Sequence, residues 1–245
     1  MSIIDDLAKE IRNEIDALKE GQFGEVLLGR NNIPGVPIEE YLEPEPDVFR
    51  ESEIPFEHFE SSKLLGLYMP MRSPGRIYLS ARNLRGFFWS LVNVIKMRVQ
   101  YISKNDLVFG FQLVALKTYN HELFHYYCDV LRTCFGGAYN TLTEEALAVA
   151  WARMKIIRER DKRRTQIGKM KPEFFNQMML HAFKYSSPGY RDWTNFADEA
   201  MFKQGLTSYL SPPNHTRLIN NGVDVDGMLF TLLNNIKGGY VEAVI

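Results

Sequence analysis

Apolar positions in this chain recur mostly at helical spacing. Ile3, Ile4, Leu7, Ile11, Ile15 and Leu18 alternate with charges over residues 3–19, which predicts an amphipathic helix. Its expected role is packing on the domain, with dimerisation as the alternative. Residues 21–52 break the pattern. Pro34, Pro37, Pro44 and Pro46 forbid a long regular element, so the stretch reads as an extended arm, a connector or a lid. Lys63–Met69 and Arg76–Ala81 are apolar and aromatic runs around a Ser-Pro-Gly turn and predict a β-hairpin. Phe87, Phe88, Leu91, Val92, Ile95 and Val99 predict a core-facing helix from Asn83 to Ile102. A break at Ser103–Asp106 follows, with Asn105 or Asp106 as the cap of a longer helix over Leu107–Cys134. Leu113, Leu116, Leu123, Phe124, Tyr127, Val130 and Leu131 are its apolar set, and Gly136-Gly137 ends it.

The next helix is expected from Thr141 to about Arg160. Thr141 with Glu144 three residues later fits a capping box, and Ala146, Ala148, Ala150 and Ala152 allow close packing. Pro172 suits a helix start, with Glu173–Tyr185 continuing it. Ser186–Gly189 is a turn, Asp192 a cap for a helix to about Tyr209, and Val225–Ile236 a last helix before a short terminal strand. The expected class is α+β and predominantly helical, with a small antiparallel sheet and extra C-terminal helices. The expected organisation is a helix and arm over 1–52, a core over 53–165 and a C-terminal helical subdomain over 166–245 packed on that core.

Composition narrows the class. The chain has 245 residues, 45% hydrophobic, enough for a sizeable core. A net charge of −1 gives no global attraction to nucleic acid or to an anionic membrane. No apolar run approaches the roughly 20 residues of a membrane span. The acidic, amphipathic N-terminus is unlike a secretory leader. Cys128 and Cys134 lie six residues apart on one predicted helix, roughly 9 Å along its axis and too far for a disulfide. Both are expected as small core residues, and a reducing cytoplasm is the expected compartment. The basic run Arg153–Arg164 suits a helix C-terminus, and nucleic acid is not an expected partner. Trp89, Trp151 and Trp193 are expected as core anchors, and His58 and His215 in loops without special roles.

One stretch carries chemistry. His121-Glu122-Leu123-Phe124-His125 reads H-E-x-x-H. On a helix, residues four apart share a face, so His121 and His125 can hold one metal ion while Glu122 reaches a water beside it. A catalytic zinc takes a third protein ligand. Position 131 is Leu, which excludes the spacing of the three-histidine proteases, and His181 lies far downstream. Glu144 and Glu145 both qualify by position. Assigning Glu144 to the cap leaves Glu145 free to point inward.

A hairpin, an H-E-x-x-H helix and a following Glu145-Ala146-Leu147-Ala148-Val149-Ala150-Trp151-Ala152 helix resemble the ImmA/IrrE type of minimal zinc metallopeptidase, a gluzincin-type zincin, over roughly residues 60–160. Phe124 stands where that family usually has Gly, and Arg153-Met154-Lys155 where it usually ends Leu-Met-Pro. The resemblance implies a zincin-like fold with zinc held by His121, His125 and Glu145. It implies Glu122 as general base and Tyr190 or His181, with Arg191 behind them, as oxyanion donor. It further implies an intracellular protein or peptide substrate lying along Arg76–Ala81. Asn120, Asp129 and Asn140 are the candidates for orienting the imidazoles. The alternatives are an inactive zincin-fold regulatory module, and a nucleic-acid-associated protein acting through the basic helix end. A homodimer is allowed.

Overall fold

The structure, a computed structural model, describes residues 3–21, 24–28, 65–69, 75–135, 140–210, 215–236 and 241–244. Most of the predicted arm, Lys63, the hairpin turn and His58 lie outside the described residues, so the lid reading does too. Helix α1 spans Ile3–Asp16, strand β1 Gly66–Met69 and strand β2 Gly75–Leu79. Helices α2 (Ala81–Ile95), α3 (Lys104–Phe135) and α4 (Thr141–Asp161) follow, then a 3-10 turn at Ile167–Lys169 and helix α5 (Pro172–Ala182). A second 3-10 turn, Tyr190–Phe196, leads to α6 (Glu199–Leu210), α7 (His215–Asn220), α8 (Val225–Asn235) and strand β3 (Val241–Val244).

The predicted helices form, with shifted ends that capping explains. Ser80 caps α2 by accepting the Asn83 amide, so that helix starts two residues early and stops at Ile95. Ser103, not Asn105 or Asp106, caps α3. Its hydroxyl accepts the Asp106 amide, and the Asp106 carboxylate accepts the Ser103 amide in return. The other Asp106 oxygen accepts the Lys171 amide at 2.9 Å and ties this end of α3 to the start of α5. Asp192 does not cap a long helix: its carboxylate accepts the Gly189 amide and closes the 3-10 turn, and Asp198 caps α6 instead.

The sheet is mixed rather than purely antiparallel. β1 pairs antiparallel with β2, Gly66 opposite Leu79 and Tyr68 opposite Ile77. β3 then pairs parallel with the other edge of β2, Gly75 opposite Val241. The strand expected to border the cleft, β2, is therefore the middle one, and β1 is the edge beside α3. On β2, Ile77 and Leu79 are buried while Arg76 is exposed, the period-two pattern of a half-buried strand.

α3 runs through the core, with α1, α4 and both strands of the hairpin against it. Leu7, Ile11 and Ile15 of α1 are fully buried, so its apolar face is satisfied within the chain. The Trp89 indole donates to Glu14 at 2.8 Å and pins α1 to α2. Every residue from Glu144 to Ala152 of α4 is buried, as in a helix enclosed on all sides, and its alanines let neighbours approach. Phe124, Trp151, Phe202 and Phe230 form one aromatic cluster, with Trp151 stacked on Phe202 at 5.7 Å. Arg160 donates to the carbonyls of Ile167, Gly168 and Met170, so this member of the basic run holds a turn of its own chain. No helix among the described residues is long and apolar enough to cross a membrane.

Candidate metal centre

α3 and the first turn of α4 bring His121, His125 and Glu145 together. His121 Nε2 lies 3.0 Å from Glu145 Oε2 and 3.2 Å from His125 Nε2, and His125 Nε2 lies 3.5 Å from Glu145 Oε2. A tetrahedral zinc with bonds of about 2.0–2.1 Å holds its ligand atoms roughly 3.3 Å apart, and the three edges fall around that length. Glu145 Oε2 is buried without a well-aligned hydrogen bond and faces the two imidazole nitrogens. An orphaned carboxylate oxygen facing two imidazole nitrogens in the interior is costly unless a cation joins them. Burial pushes the Glu145 carboxyl up, but the facing His125 and His121 outweigh it and hold it well below the usual carboxylate range. The donor set, two imidazoles and one carboxylate, suits zinc.

Glu144 does not serve the cap. Asn140 caps α4, its side chain accepting the Thr143 amide at 3.1 Å. Glu144 points inward, and its Oε1 lies 2.7 Å from His125 Nδ1. That contact places the proton on Nδ1, where it donates to the carboxylate, and leaves Nε2 bare toward the cluster. The second Glu144 oxygen accepts from Arg132 and from the Tyr209 hydroxyl, and Arg132 also pairs with Asp129. Burial works against the Arg132 charge, yet Glu144 and Asp129 raise its pKa overall. The three side chains expected to orient the imidazoles are occupied elsewhere. Asn140 is the cap, Asp129 holds Arg132, and Asn120 donates to the Leu116 carbonyl of its own helix at 2.7 Å.

Glu122 sits under the edge strand. The Tyr68 amide of β1 donates to its carboxylate. A Cβ built on Gly66 would lie 2.6 Å from Thr118 Cγ2 and 3.0 Å from Glu122 Cγ, so β1 reaches α3 only because position 66 has no side chain. Burial raises the Glu122 pKa, and the lowering by His121, His125 and the Tyr68 amide does not cancel it. A buried carboxylate of raised basicity beside a cluster that could hold a metal is suited to taking a proton.

Of the candidate oxyanion donors, Tyr190 meets the cluster. Its ring stacks on His121, centroids 5.7 Å apart and planes 13° from parallel. Gly189 makes that approach: its φ is +78°, and a Cβ there would lie 3.1 Å from the Leu142 carbonyl and 3.4 Å from Glu145 Cβ. His181 lies on α5 with its Nε2 3.3 Å from Arg98, and Arg191 is exposed beside Asp192. Lys117, one turn before His121, is buried over the rings of Phe87, Phe183 and Tyr185, the last at 4.8 Å. Position 117 carries no motif that sequence reasoning could have used.

Two other residues near the motif are core. Burial pushes the Cys128 thiol well up, and it is not among the clustered ligand atoms. Cys134, expected inside, is exposed; both cysteines are free. Phe124 is fully buried against Trp151 and Phe202, away from the ligand face. The departure from Gly at this position is thus accommodated by α4 and α6, not by the cleft. No protein-family model, curated protein or solved structure matches the chain.

Proposed function

We propose that the chain is a zinc-dependent metallopeptidase acting on a protein or peptide in the cytoplasm. The observation that supports this most is the His121, His125 and Glu145 triangle at tetrahedral-zinc spacing with the buried carboxylate of Glu122 beside it. When bound, zinc supplies a Lewis acid that makes water a nucleophile near neutral pH. Glu122 takes the proton of the attacking water and delivers it to the leaving amine. Glu144 keeps His125 in the tautomer that ligates, and its bond to Arg132 keeps Glu144 itself in place. The Tyr190 hydroxyl donates to the oxyanion, with the ring held against His121. The edge strand β1 pairs with the extended substrate backbone. The resemblance to the ImmA/IrrE type supports the same assignment of roles.

The test is hydrolysis of a degenerate peptide library by the purified, zinc-loaded chain and by Glu122→Gln. Cleavage by the first and none by the second is expected. Zinc bound by both with cleavage by neither overturns the enzyme and leaves a zincin-like regulatory module.

A further inference from the structure

The 3-10 turn that carries Tyr190 has a second side. Arg191, Trp193 and Thr194 of that turn, Arg153 and Ile157 of α4, and residues of α5 line an open cavity of about 770 Å³. Its floor is apolar and aromatic: Phe175, Met179 and Phe183 are buried, and Trp193 donates its indole proton to the Phe183 carbonyl at 3.2 Å. Its charged lining is of one sign. Arg153, Lys184 and Arg191 contribute, and among the described residues no Asp or Glu lines it. Arg153 lies over the Trp193 ring, 5.0 Å from the centroid, and Arg191 has Asp192 3.7 Å away, outside the cavity. A volume in the range of small-ligand sites, with an aromatic floor and three cations, complements an aromatic or aliphatic group next to a carboxylate.

A chain of rings links the cavity wall to the metal cluster. Tyr185, on its wall, lies 5.7 Å from Tyr190, and Tyr190 lies 5.7 Å from His121. Three or four extended residues cover those two steps at about 3.3 Å each. That span is within the length of a peptide held at the cluster, and this proximity, with the charge complementarity of the lining, favours a peptide segment over a free small molecule.

We infer that this cavity is a substrate subsite that takes an aromatic or large aliphatic residue flanked by Asp or Glu, three or four residues from the scissile bond. The inference rests on the metallopeptidase reading for its register. Its charge and apolar selectivity follow from the cavity alone. Arg153 and Arg191 bracket the acidic side chain, and Trp193, Phe183 and Phe175 receive the apolar one.

Binding without turnover tests it. Fluorescence anisotropy with zinc-loaded Glu122→Gln protein compares two peptides on a neutral dye, one with Phe-Glu-Phe in an Ala/Gly background and one with Phe-Lys-Phe. The Glu peptide is expected to bind about tenfold tighter or more, with the preference falling as salt rises. Adding Arg153→Glu and Arg191→Glu is expected to abolish or invert the preference. Lys184→Glu, at an exposed position, gives the same direction with less risk to folding. Equal affinity for the two peptides, binding of neither, or an unchanged preference in the charge-reversed variants overturns the subsite. Loss of library cleavage with the preference intact counts against the peptidase and leaves the cavity's selectivity standing.

Discussion

On one side of α3, His121, Glu122 and His125 meet Glu144, Glu145 and the edge of β1. On the other, Phe124 meets Trp151 and Phe202, and these meet Phe230. The first side is directional. Each group has a named atom to face, and a change of one atom alters what it does. The second side is volumetric, where ring area and fill decide stability and no single contact is chemically special. Both sides share one rigid helix, so the aromatic side keeps the ligand side in register.

Substitutions that separate the two sides sharpen this contrast. Glu122→Gln keeps the shape and removes the negative charge and the proton acceptor. The expected loss is at least about 10²-fold in the rate of peptide hydrolysis, with zinc content and Tm unchanged. Phe124→Ala does the opposite, with a loss of about 3–5 kcal/mol in denaturant unfolding and zinc stoichiometry retained in the folded fraction. A Phe124→Ala protein that is fully stable but has lost zinc would erase the distinction. Glu144→Gln keeps the shape but weakens the hold on His125 Nδ1, and zinc affinity is expected to fall about 10–100-fold in a competition titration. Gly66→Ala acts across the boundary. Its new methyl meets Thr118 and Glu122, and the expected cost is about 1–3 kcal/mol of overpacking, read in Tm together with reduced hydrolysis.

The two sides also differed in how far the sequence revealed them. His121, Glu122 and His125 were legible because helical spacing alone puts residues four apart on one face. A downstream carboxylate was legible by exclusion, since Leu131 removes the three-histidine alternative, but the choice of Glu145 over Glu144 rested on a cap role for Glu144 that Asn140 takes instead. Glu144 was misread because two cap candidates stand side by side. Asn140 outcompetes Thr141, which shifts the register of the first turn and turns Glu144 inward. Its partner Tyr209 is 65 residues away along the chain, a pairing no local pattern encodes. The same non-locality hid the place of β3: a short terminal strand was expected, but not its parallel pairing with β2. Helix ends moved by a few residues wherever a serine one turn earlier, Ser80 or Ser103, capped more effectively than the residue expected. The aromatic side was legible as apolar helix faces but not as a cluster, because its rings come from α3, α4, α6 and α8.

The central claim is that His121, His125 and Glu145 hold one zinc. Elemental analysis of protein purified without added metal, beside a Glu145→Gln variant, tests it most directly. The account predicts one zinc per wild-type chain, and in the variant a large loss that zinc titration restores only weakly. A wild-type chain that carries no zinc and binds none on titration, or a variant that holds it equally well, would contradict the claim.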